Sequence, residues 1–168
     1  MIRRPPRSTL SSSSAASDVY KRQIDDSEKR EIDEINYGQT QKIRCDSIVD
    51  THVKNGRTVI NLYKTRPIEL PFEVKKMERH PIGTQAFINI DDNPAIVIVA
   101  KRGEFDATEL RAFLVRSDQA INYHKGTWHH HNLCLDSSTR FIVVERDGSE
   151  GNCEEIDIPQ NIRVVVDF

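Results

Sequence analysis

Alternation of apolar and polar residues is the main pattern of the chain beyond residue 56. In Arg57–Thr65, Asn61 and Tyr63 fall on one face, and Ile60 and Leu62 fall on the other. A period of two is typical of a β-strand with one face buried. We therefore predict a strand there and further strands at residues 68–79, 84–90, 95–100, 119–124, 131–135, 140–145 and 162–168.

Two of these segments carry additional information. Ala95–Ala100 (AIVIVA) is a continuous apolar run rich in β-branched residues, which predicts a strand buried on both faces. Pro71 lies within residues 68–79. Because proline has no N–H to donate to a neighbouring strand, this segment is expected to begin a strand or to lie at a sheet edge.

One segment departs from the period of two. Asp106 and Glu109 have the spacing of a helix N-cap and its capping-box partner, and Leu110, Phe113 and Leu114 then fall on one helical face. We predict one short helix here. Many short strands with a single helix indicate an all-β barrel or sandwich.

Residues 1–23 differ in composition from the rest. They are rich in Ser and Arg and contain Pro5-Pro6, which favours disorder. No apolar stretch of the ~7–15 residues of a secretory signal is present, whereas a mitochondrial transit peptide would share this composition. The string most closely resembles the translation of a sequencing adapter. We therefore expect a non-native, disordered segment at 1–23, a weakly ordered acidic leader at 24–36, and a domain at 37–168 that lacks its natural N-terminus.

Composition and charge bound the function. The chain has 168 residues, of which 37% are hydrophobic and 30% charged, and a net charge of -2. These values are typical of a soluble globular protein and argue against nucleic acid or a membrane as the main partner. Cys45, Cys134 and Cys153 are widely spaced and odd in number, which favours a reducing compartment. We interpret Cys153 as structural, because the acids that follow it would raise its pKa.

Residues 122–131 (NYHKGTWHHH) contain four of the six histidines. Imidazoles aimed into a barrel can bind a divalent metal or move protons near neutral pH, although some of these four can equally be surface or core histidines. On a strand, His129 and His131 would share one face, and His130 would point to the other. His129, beside Trp128, is our main functional candidate.

Residues 78–85 (ERHPIGTQ) form the second candidate segment. Arg79 can clamp a carboxylate through paired, charge-assisted hydrogen bonds, or it can be an exposed arginine at a strand end. Gln85 opens an alternating strand, so its amide can face the interior, where a ligand would satisfy it. Gly83 is expected at a turn with positive φ.

Three stretches of the chain resemble a known family. The blocks MERHPIGTQAFI, INYHKGTWHH and FIVVERDGSEGNCEE resemble, in order and spacing, signature stretches of the ureidoglycolate lyases, and ATELRAFL fits the same family. The resemblance runs from about residue 37 to the C-terminus. It implies a cupin-like β-barrel of the jelly-roll type. It also implies an enzyme of allantoin and purine catabolism that cleaves (S)-ureidoglycolate to glyoxylate and urea.

The cupin resemblance implies two metal motifs. The second falls at residues 124–129 and ends in His129. The two histidines and the glutamate of the first would fall at Glu78, His80 and Gln85, so only His80 is of the expected type. A divalent metal such as nickel is associated with the family. The ligands that the resemblance implies are His80, His129 and Gln85.

Cleavage of a carbinolamine such as ureidoglycolate needs a base for the hydroxyl proton and an acid for the departing nitrogen. We expect His129, together with His80, to act as base or metal ligand. The candidate proton donors to the leaving urea are His124, Tyr123 and Lys125. The candidate substrate-binding residues are Arg79, Gln85 and Trp128. Glu145 can also face the lumen, although an exposed strand carboxylate is the favoured interpretation.

Two other functions stay open on the sequence. One is an amidohydrolase that releases ammonia from ureidoglycolate. The other is an inactive cupin that binds a small carboxylate such as glyoxylate, because the first metal motif is atypical. The resemblance further implies a homodimer acting on a small molecule, and the cytoplasm is the default location.

Overall fold

The computed structural model describes residues 11–12, 20–26 and 30–167. Short strands dominate this part of the chain, joined by turns and two short 3-10 segments at Val53–Asn55 and Ala107–Glu109. Over the same residues, no helix has the length and apolar character to cross a membrane. The strands are β1 (Ser11–Ser12), β2 (Lys21–Ile24), β3 (Ile32–Ile35), β4 (Thr40–Ile43), β5 (Arg57–Thr65), β6 (Phe72–Val74), β7 (Lys76–Arg79), β8 (Gln85–Asn89), β9 (Ala95–Ala100), β10 (Arg111–Val115), β11 (Ala120–Tyr123), β12 (Trp128–His129), β13 (Leu133–Cys134), β14 (Thr139–Asp147), β15 (Glu154–Asp157) and β16 (Val164–Val166).

Most of these strands form two facing sheets. The larger sheet has the order β1-β10-β9-β12-β7-β15, with β13 also paired to β9, and the smaller has the order β2-β11-β8-β14-β5. Their pairings are antiparallel except for that of β1 with β10. Two further pairs, β6 with β16 and β3 with β4, complete the description. The predicted all-β, cupin-like fold class is confirmed.

The strand β9 separates two apolar cores. Val97 and Val99 pack between the sheets, in one cluster with Phe87 of the smaller sheet. Ile96 and Ile98 point the other way, into a second cluster that β6, β16 and neighbouring loops help to cover. All six side chains of β9 are buried. The prediction of a strand buried on both faces is therefore confirmed.

The long strand β5 shows the predicted alternation. Asn61 and Tyr63 both donate hydrogen bonds to Glu145 on the adjacent strand β14. Ile60 and Leu62 lie on the opposite face and are 70% and 61% exposed. Because β5 is the last strand of the smaller sheet, its outer face carries apolar side chains that no described residue covers.

The predicted helix after Asp106 is wrong. Asp106 does cap a turn, since its Oδ1 accepts a hydrogen bond from the Thr108 N–H at 2.8 Å, but the turn ends at Glu109. Residues Arg111–Val115 then form β10 and pair with β9. The buried backbone of β9 needs hydrogen-bond partners on both sides, and this requirement outweighs the helical spacing of the apolar residues.

Parts of the N-terminal region form strands, and the predicted division at residues 1–23 and 24–36 stays a prediction. Within the segment predicted to be disordered, Ser11–Ser12 pairs with β10 and Lys21–Ile24 pairs with β11. The leader at 24–36 contributes Ile32–Ile35 to a hairpin with β4. Strand pairing forms hydrogen bonds between main-chain groups, which every residue type can provide except for the N–H of proline. Amino-acid composition therefore does not reveal these strands. Residues 1–10, 13–19 and 27–29 lie outside the described residues, and the adapter origin of the segment stays a prediction.

The strand β2 carries an unusual core residue. Lys21 is fully buried, and its Nζ has no hydrogen-bond partner. Burial lowers the pKa of Lys21 to about 8, although nearby Asp25 opposes this shift. A buried, unpaired ammonium opposes folding, since the charged form loses its hydration.

We expect Lys21→Met to stabilise the protein. Methionine keeps the aliphatic stem and removes the ammonium, so the free energy of unfolding should rise by about 1–3 kcal/mol at pH 7. The folded-state pKa of about 8 lies below the ordinary value of 10.5. The gain is therefore complete below pH 8, and it disappears as the pH rises towards 10.5. Thermal unfolding against pH measures this, with exposed Lys64→Met as control; an unchanged or lowered melting temperature would contradict the assignment.

Candidate functional site

Three potential ligand side chains meet where β7 and β12 pair. Glu78 on β7 lies directly opposite His129 on β12, and Glu78 Oε1 is 3.5 Å from His129 Nε2. His80 follows β7, and its ring centroid is 5.1 Å from that of His129. One potential ligand atom from each residue lies within 4.8 Å of the other two. We call this group the Glu78–His80–His129 cluster.

Main-chain carbonyls determine which imidazole nitrogens carry protons. His80 Nδ1 lies 2.6 Å from the Asn152 carbonyl oxygen, and His129 Nδ1 lies 2.9 Å from that of Thr127. A carbonyl can only accept a hydrogen bond, so both Nδ1 atoms are protonated. In the neutral form of each ring, Nε2 then presents the lone pair, and both Nε2 atoms are buried without a hydrogen-bond partner.

The electrostatics of the cluster exclude an ordinary ion pair. Burial, reinforced by His80, lowers the pKa of His129 to about 3, so this imidazole is neutral at physiological pH. Burial also raises the pKa of Glu78. The cluster thus brings together two imidazole lone pairs and one carboxylate. Such a set of acceptors can bind a proton or a cation. Imidazole together with carboxylate is a common ligand set for divalent transition metals.

A cavity of about 270 Å³ opens beside the cluster. His80 and Gln85 line it, so the structure brings together two of the residues predicted from the sequence. Gln85 is only 5% exposed, and its Nε2 donates to Glu145 Oε2 at 2.8 Å. Its Oε1 is buried without a partner. The further lining residues are Thr84, Glu145, Arg146, Asp147, Gly148, Ser149, Glu150, Gly151, Asn152 and Cys153.

Sequence reasoning missed Glu78 as a member of the site and favoured the wrong environment for Glu145. Glu78 was set aside because it stands where the cupin motif has histidine. The available signal is its spacing from His80, since residues two apart on a strand point to the same face. Glu145 lines the cavity and accepts hydrogen bonds from Gln85, Asn61 and Tyr63. Burial and the bond to Glu145 raise the pKa of Tyr63 to about 12.

Arg146 is the arginine in the cavity wall. Its guanidinium donates to the carbonyl oxygens of Val53 and Glu150, which ties two loops together. Gly83 lies against it: a Cβ there would come within 2.8 Å of Arg146 Cβ. Gly83 is not among the glycines with positive φ, so the predicted reason for this glycine is wrong, and close packing against Arg146 replaces it. No pattern in the sequence indicates this contact.

Arg79 and Trp128, both predicted to bind substrate, do not join the cluster. Neighbouring residues on a strand point to opposite faces of the sheet. The Arg79 side chain is therefore on the other face from Glu78, and the Trp128 side chain is on the other face from His129. Arg79 pairs with Glu154, donates to the Gly103 carbonyl oxygen and stacks over the Trp128 ring at 4.5 Å. These two side chains contact each other on the far face of the sheet, and their role in substrate binding stays a prediction.

The candidate proton donors occupy different places. Tyr123 stacks on His129 at 4.2 Å, but its hydroxyl donates to Asn132, and burial strongly raises its pKa. Lys125 forms an ion pair with Asp50. His124 begins a turn in which its carbonyl oxygen accepts from the Thr127 N–H. None of the three is among the residues that line the cavity in the described part of the chain.

The remaining histidines of the triplet are not in the site. His130 Nδ1 hydrogen-bonds to the His131 carbonyl oxygen, and the two rings are 4.0 Å apart. They do not alternate as predicted, because the strand β12 ends at His129. Gly126, in the preceding turn, has a φ of 74° and donates its N–H to the His80 carbonyl oxygen. This positive φ favours glycine and holds the turn against the loop that carries His80.

Cys153 lies at the cavity wall beside the cluster. Its Sγ is 3.9 Å from Glu78 Oε2. Burial, Glu78 and Glu155 all raise the pKa of the thiol, in the predicted direction. Its interpretation as a structural residue stays a prediction.

Known proteins are similar to this chain over most of its length. A profile of the family described as "Ureidoglycolate lyase" matches residues 12–165. The chain belongs to the ureidoglycolate lyase family. A relative of that name from Burkholderia mallei is 41% identical over 128 residues, which is 76% of this chain and 75% of the relative. Relatives of the same name from Pseudomonas aeruginosa and Pseudomonas syringae pv. tomato are 36% and 37% identical over 134 residues, 79% of each chain.

Membership of the family confirms the resemblance seen in the three sequence blocks. Two of those blocks contain residues that meet here, since His80 and Gln85 come from the first block and His129 from the second. The third block supplies Glu145 and Asn152, which contact Gln85 and His80. The blocks of the ureidoglycolate lyases therefore converge on one cavity and the cluster beside it.

We expect Tyr123→Phe to retain activity. Because the hydroxyl is bonded to Asn132 and not directed at the cavity, kcat/KM should stay within about threefold of the wild type, whereas loss of a general acid costs about 10²–10⁴-fold. Removing the bond to buried Asn132 should cost about 1 kcal/mol of stability. Steady-state kinetics and thermal unfolding measure both effects, with exposed Tyr37→Phe as control. A hundredfold loss of kcat/KM in a folded variant would restore Tyr123 as the proton donor.

Proposed function

We propose that this chain cleaves ureidoglycolate to glyoxylate and urea. Membership of the ureidoglycolate lyase family supports the reaction. The observation that carries it in the structure is a pair of buried, unpartnered acceptors in two cavity-lining residues, His80 Nε2 and Gln85 Oε1. These two atoms match the donors of a substrate that has a hydroxyl group and urea N–H groups.

The reaction is an elimination that needs no water molecule. The hydroxyl of the substrate loses a proton, the bond from carbon to the urea nitrogen breaks, and the electron pair of that bond leaves with the nitrogen, which takes up a proton. The C=O group of glyoxylate forms in the same step. In the neutral form of His80 the Nδ1–H is held by the Asn152 carbonyl oxygen, so the lone pair on Nε2 can accept the hydroxyl proton.

The Glu78–His80–His129 cluster fits a divalent cation, as the family resemblance implies for nickel. Its donors would be the Glu78 carboxylate and the two buried, orphaned imidazole lone pairs. His80 Nε2 has a single lone pair, so it serves either the cation or the hydroxyl proton, not both. Each imidazole also has the outer hydrogen bond from Nδ1 to a carbonyl that orients metal-binding histidines. When bound, a divalent cation supplies positive charge that stabilises a developing alkoxide. Gln85, predicted as a ligand, is assigned to the substrate instead.

Neither alternative function gains support from the site. An inactive binding protein for small carboxylates would not need unprotonated imidazole lone pairs beside the cavity. An amidohydrolase needs an activated water at the urea carbonyl, and its product would be ammonia. Measuring urea and ammonia separately distinguishes the two reactions.

We expect His80→Ala to lower kcat/KM for release of glyoxylate and urea by about 10²-fold or more, because the acceptor for the hydroxyl proton is lost. The same variant should bind Ni²⁺ at least about tenfold more weakly by calorimetry, since it loses a ligand. Exposed His52→Ala is the matched control and should behave as the wild type. Unchanged turnover in folded His80→Ala would contradict the proposed chemistry, and unchanged Ni²⁺ affinity would remove His80 from the ligand set.

We propose further that the chain forms a homodimer through the outer face of β5 and β14. Ile60 and Leu62 are exposed there, and Ile142 of β14 lies directly opposite Leu62. Contiguous exposed apolar side chains are typical of an interface, and the family resemblance implies a second copy as the partner. The free thiols of Cys45, Cys134 and Cys153 support a reducing compartment, and we place the enzyme in the cytoplasm.

We expect Leu62→Lys to convert the dimer to a monomer. A charge placed in an apolar interface has no partner and loses its hydration on assembly, so dissociation relieves it. Sedimentation velocity at micromolar concentration measures the change, with exposed Tyr37→Lys in the β3–β4 hairpin as control. A wild-type chain that sediments as a monomer would rule out the dimer.

A further inference from the structure

The orientation of the Gln85 side-chain amide is fixed by Glu145. A glutamine amide has a donor end and an acceptor end of nearly equal size, so its surroundings decide which end points where. The Glu145 carboxylate can only accept, and Gln85 Nε2 lies 2.8 Å from its Oε2. Gln85 Oε1 is therefore the end turned away from Glu145, and it is the buried, unpartnered atom of this cavity-lining residue.

Two residues of β5 hold Glu145 in turn. Asn61 Nδ2 and the Tyr63 hydroxyl both donate to Glu145 Oε1, at 2.8 and 2.9 Å. Both carboxylate oxygens are thus engaged by donors, and Oε2 receives the one from Gln85. The chain of hydrogen bonds from β5 through Glu145 thus fixes a buried, neutral acceptor in a residue that lines the cavity.

We propose that Glu145 is a positioning residue which, through Gln85, makes the site select substrates that carry a terminal urea NH₂ group. The inference rests on the proposed function. Gln85 Oε1 accepts an N–H from the terminal nitrogen of the urea group. A substrate that lacks this NH₂ group leaves the buried Gln85 Oε1 without a hydrogen-bond partner. The free-energy cost of the unpaired oxygen makes the site select against such a substrate.

The other polar groups of the substrate fit Gln85 Oε1 less well. The carboxylate has no hydrogen to donate. The hydroxyl loses its proton in the reaction and needs a base, a role that the lone pair of His80 Nε2 fills and an amide oxygen does not. The internal nitrogen takes up a proton as it leaves, so it needs a donor beside it. The terminal NH₂ group keeps both of its hydrogens throughout and is the remaining donor.

The test compares two substrates that differ in one group. The first is ureidoglycolate, and the second is 2-acetamido-2-hydroxyacetate, in which a methyl group replaces the terminal NH₂. Both compounds can undergo the same elimination to glyoxylate. For the wild type we expect kcat/KM to favour ureidoglycolate by at least about 100-fold, because the methyl group leaves Gln85 Oε1 unpaired.

Glu145→Gln is the decisive variant. Its side chain can donate as well as accept, so the amide of Gln85 is no longer held in one orientation. The preference should fall below about tenfold, mainly through loss of activity on ureidoglycolate. Glu73→Gln, at an exposed carboxylate on β6 paired with Arg163, is the matched control and should keep the wild-type preference. Thermal unfolding confirms that both variants fold.

Two results would overturn the inference. Either Glu145→Gln retains the wild-type preference, or it loses activity equally on both substrates, as a purely structural role would require. Ligand-observed NMR of urea against acetamide gives a readout that does not depend on turnover. A wild type that binds urea selectively without cleaving ureidoglycolate would contradict the proposed function while supporting the role of Gln85. A wild type without this selectivity would contradict the role of Gln85 even if it releases glyoxylate and urea.

Discussion

The strand Ala95–Ala100 is buried so completely that no side chain in it exceeds 2% exposure. Its main-chain N–H and C=O groups are as inaccessible as its side chains, so they need partners within the protein on both edges. On one edge β10 provides these partners, although the spacing of its apolar residues predicts a helix. On the other edge β12 provides them, and this pairing sets His129 opposite Val99 and, one strand further, opposite Glu78. The apolar strand thereby determines where the polar chemistry of the protein is placed.

The site that results is assembled almost entirely from acceptors. Main-chain carbonyls accept from Nδ1 of both imidazoles, and the Glu145 carboxylate accepts from the amide nitrogen of Gln85. The fold thus fixes the directions of lone pairs before any ligand arrives, which limits the reorganisation needed when charge develops. Burial adds to this by keeping His129 neutral.

Much of the fold was predictable from the sequence, because period-two alternation and one apolar run mark strands directly. Arg57–Thr65 and Ala95–Ala100 have the predicted bounds. The strands that were not predicted share one cause: Arg111–Val115 and Lys21–Ile24 are strands because partner strands need their main-chain groups, and side-chain patterns do not record that need. In the site, His129 and Gln85 were found from the residue pattern, and His80 was found through the family resemblance. Glu78 and Glu145 were not, since their importance comes from neighbours on other strands.

The turn from His124 to Thr127 is held by hydrogen bonds to a main-chain atom of Tyr20, so its position does not depend on the Tyr20 side chain. The His124 N–H and the Thr127 hydroxyl both donate to the carbonyl oxygen of Tyr20, an atom that every residue type would provide. Next to it, β2 joins β11 through main-chain pairing even though one of its side chains is a poorly accommodated lysine. Mutational drift can therefore alter the composition of this outer strand extensively while the loop leading to His129 keeps its shape.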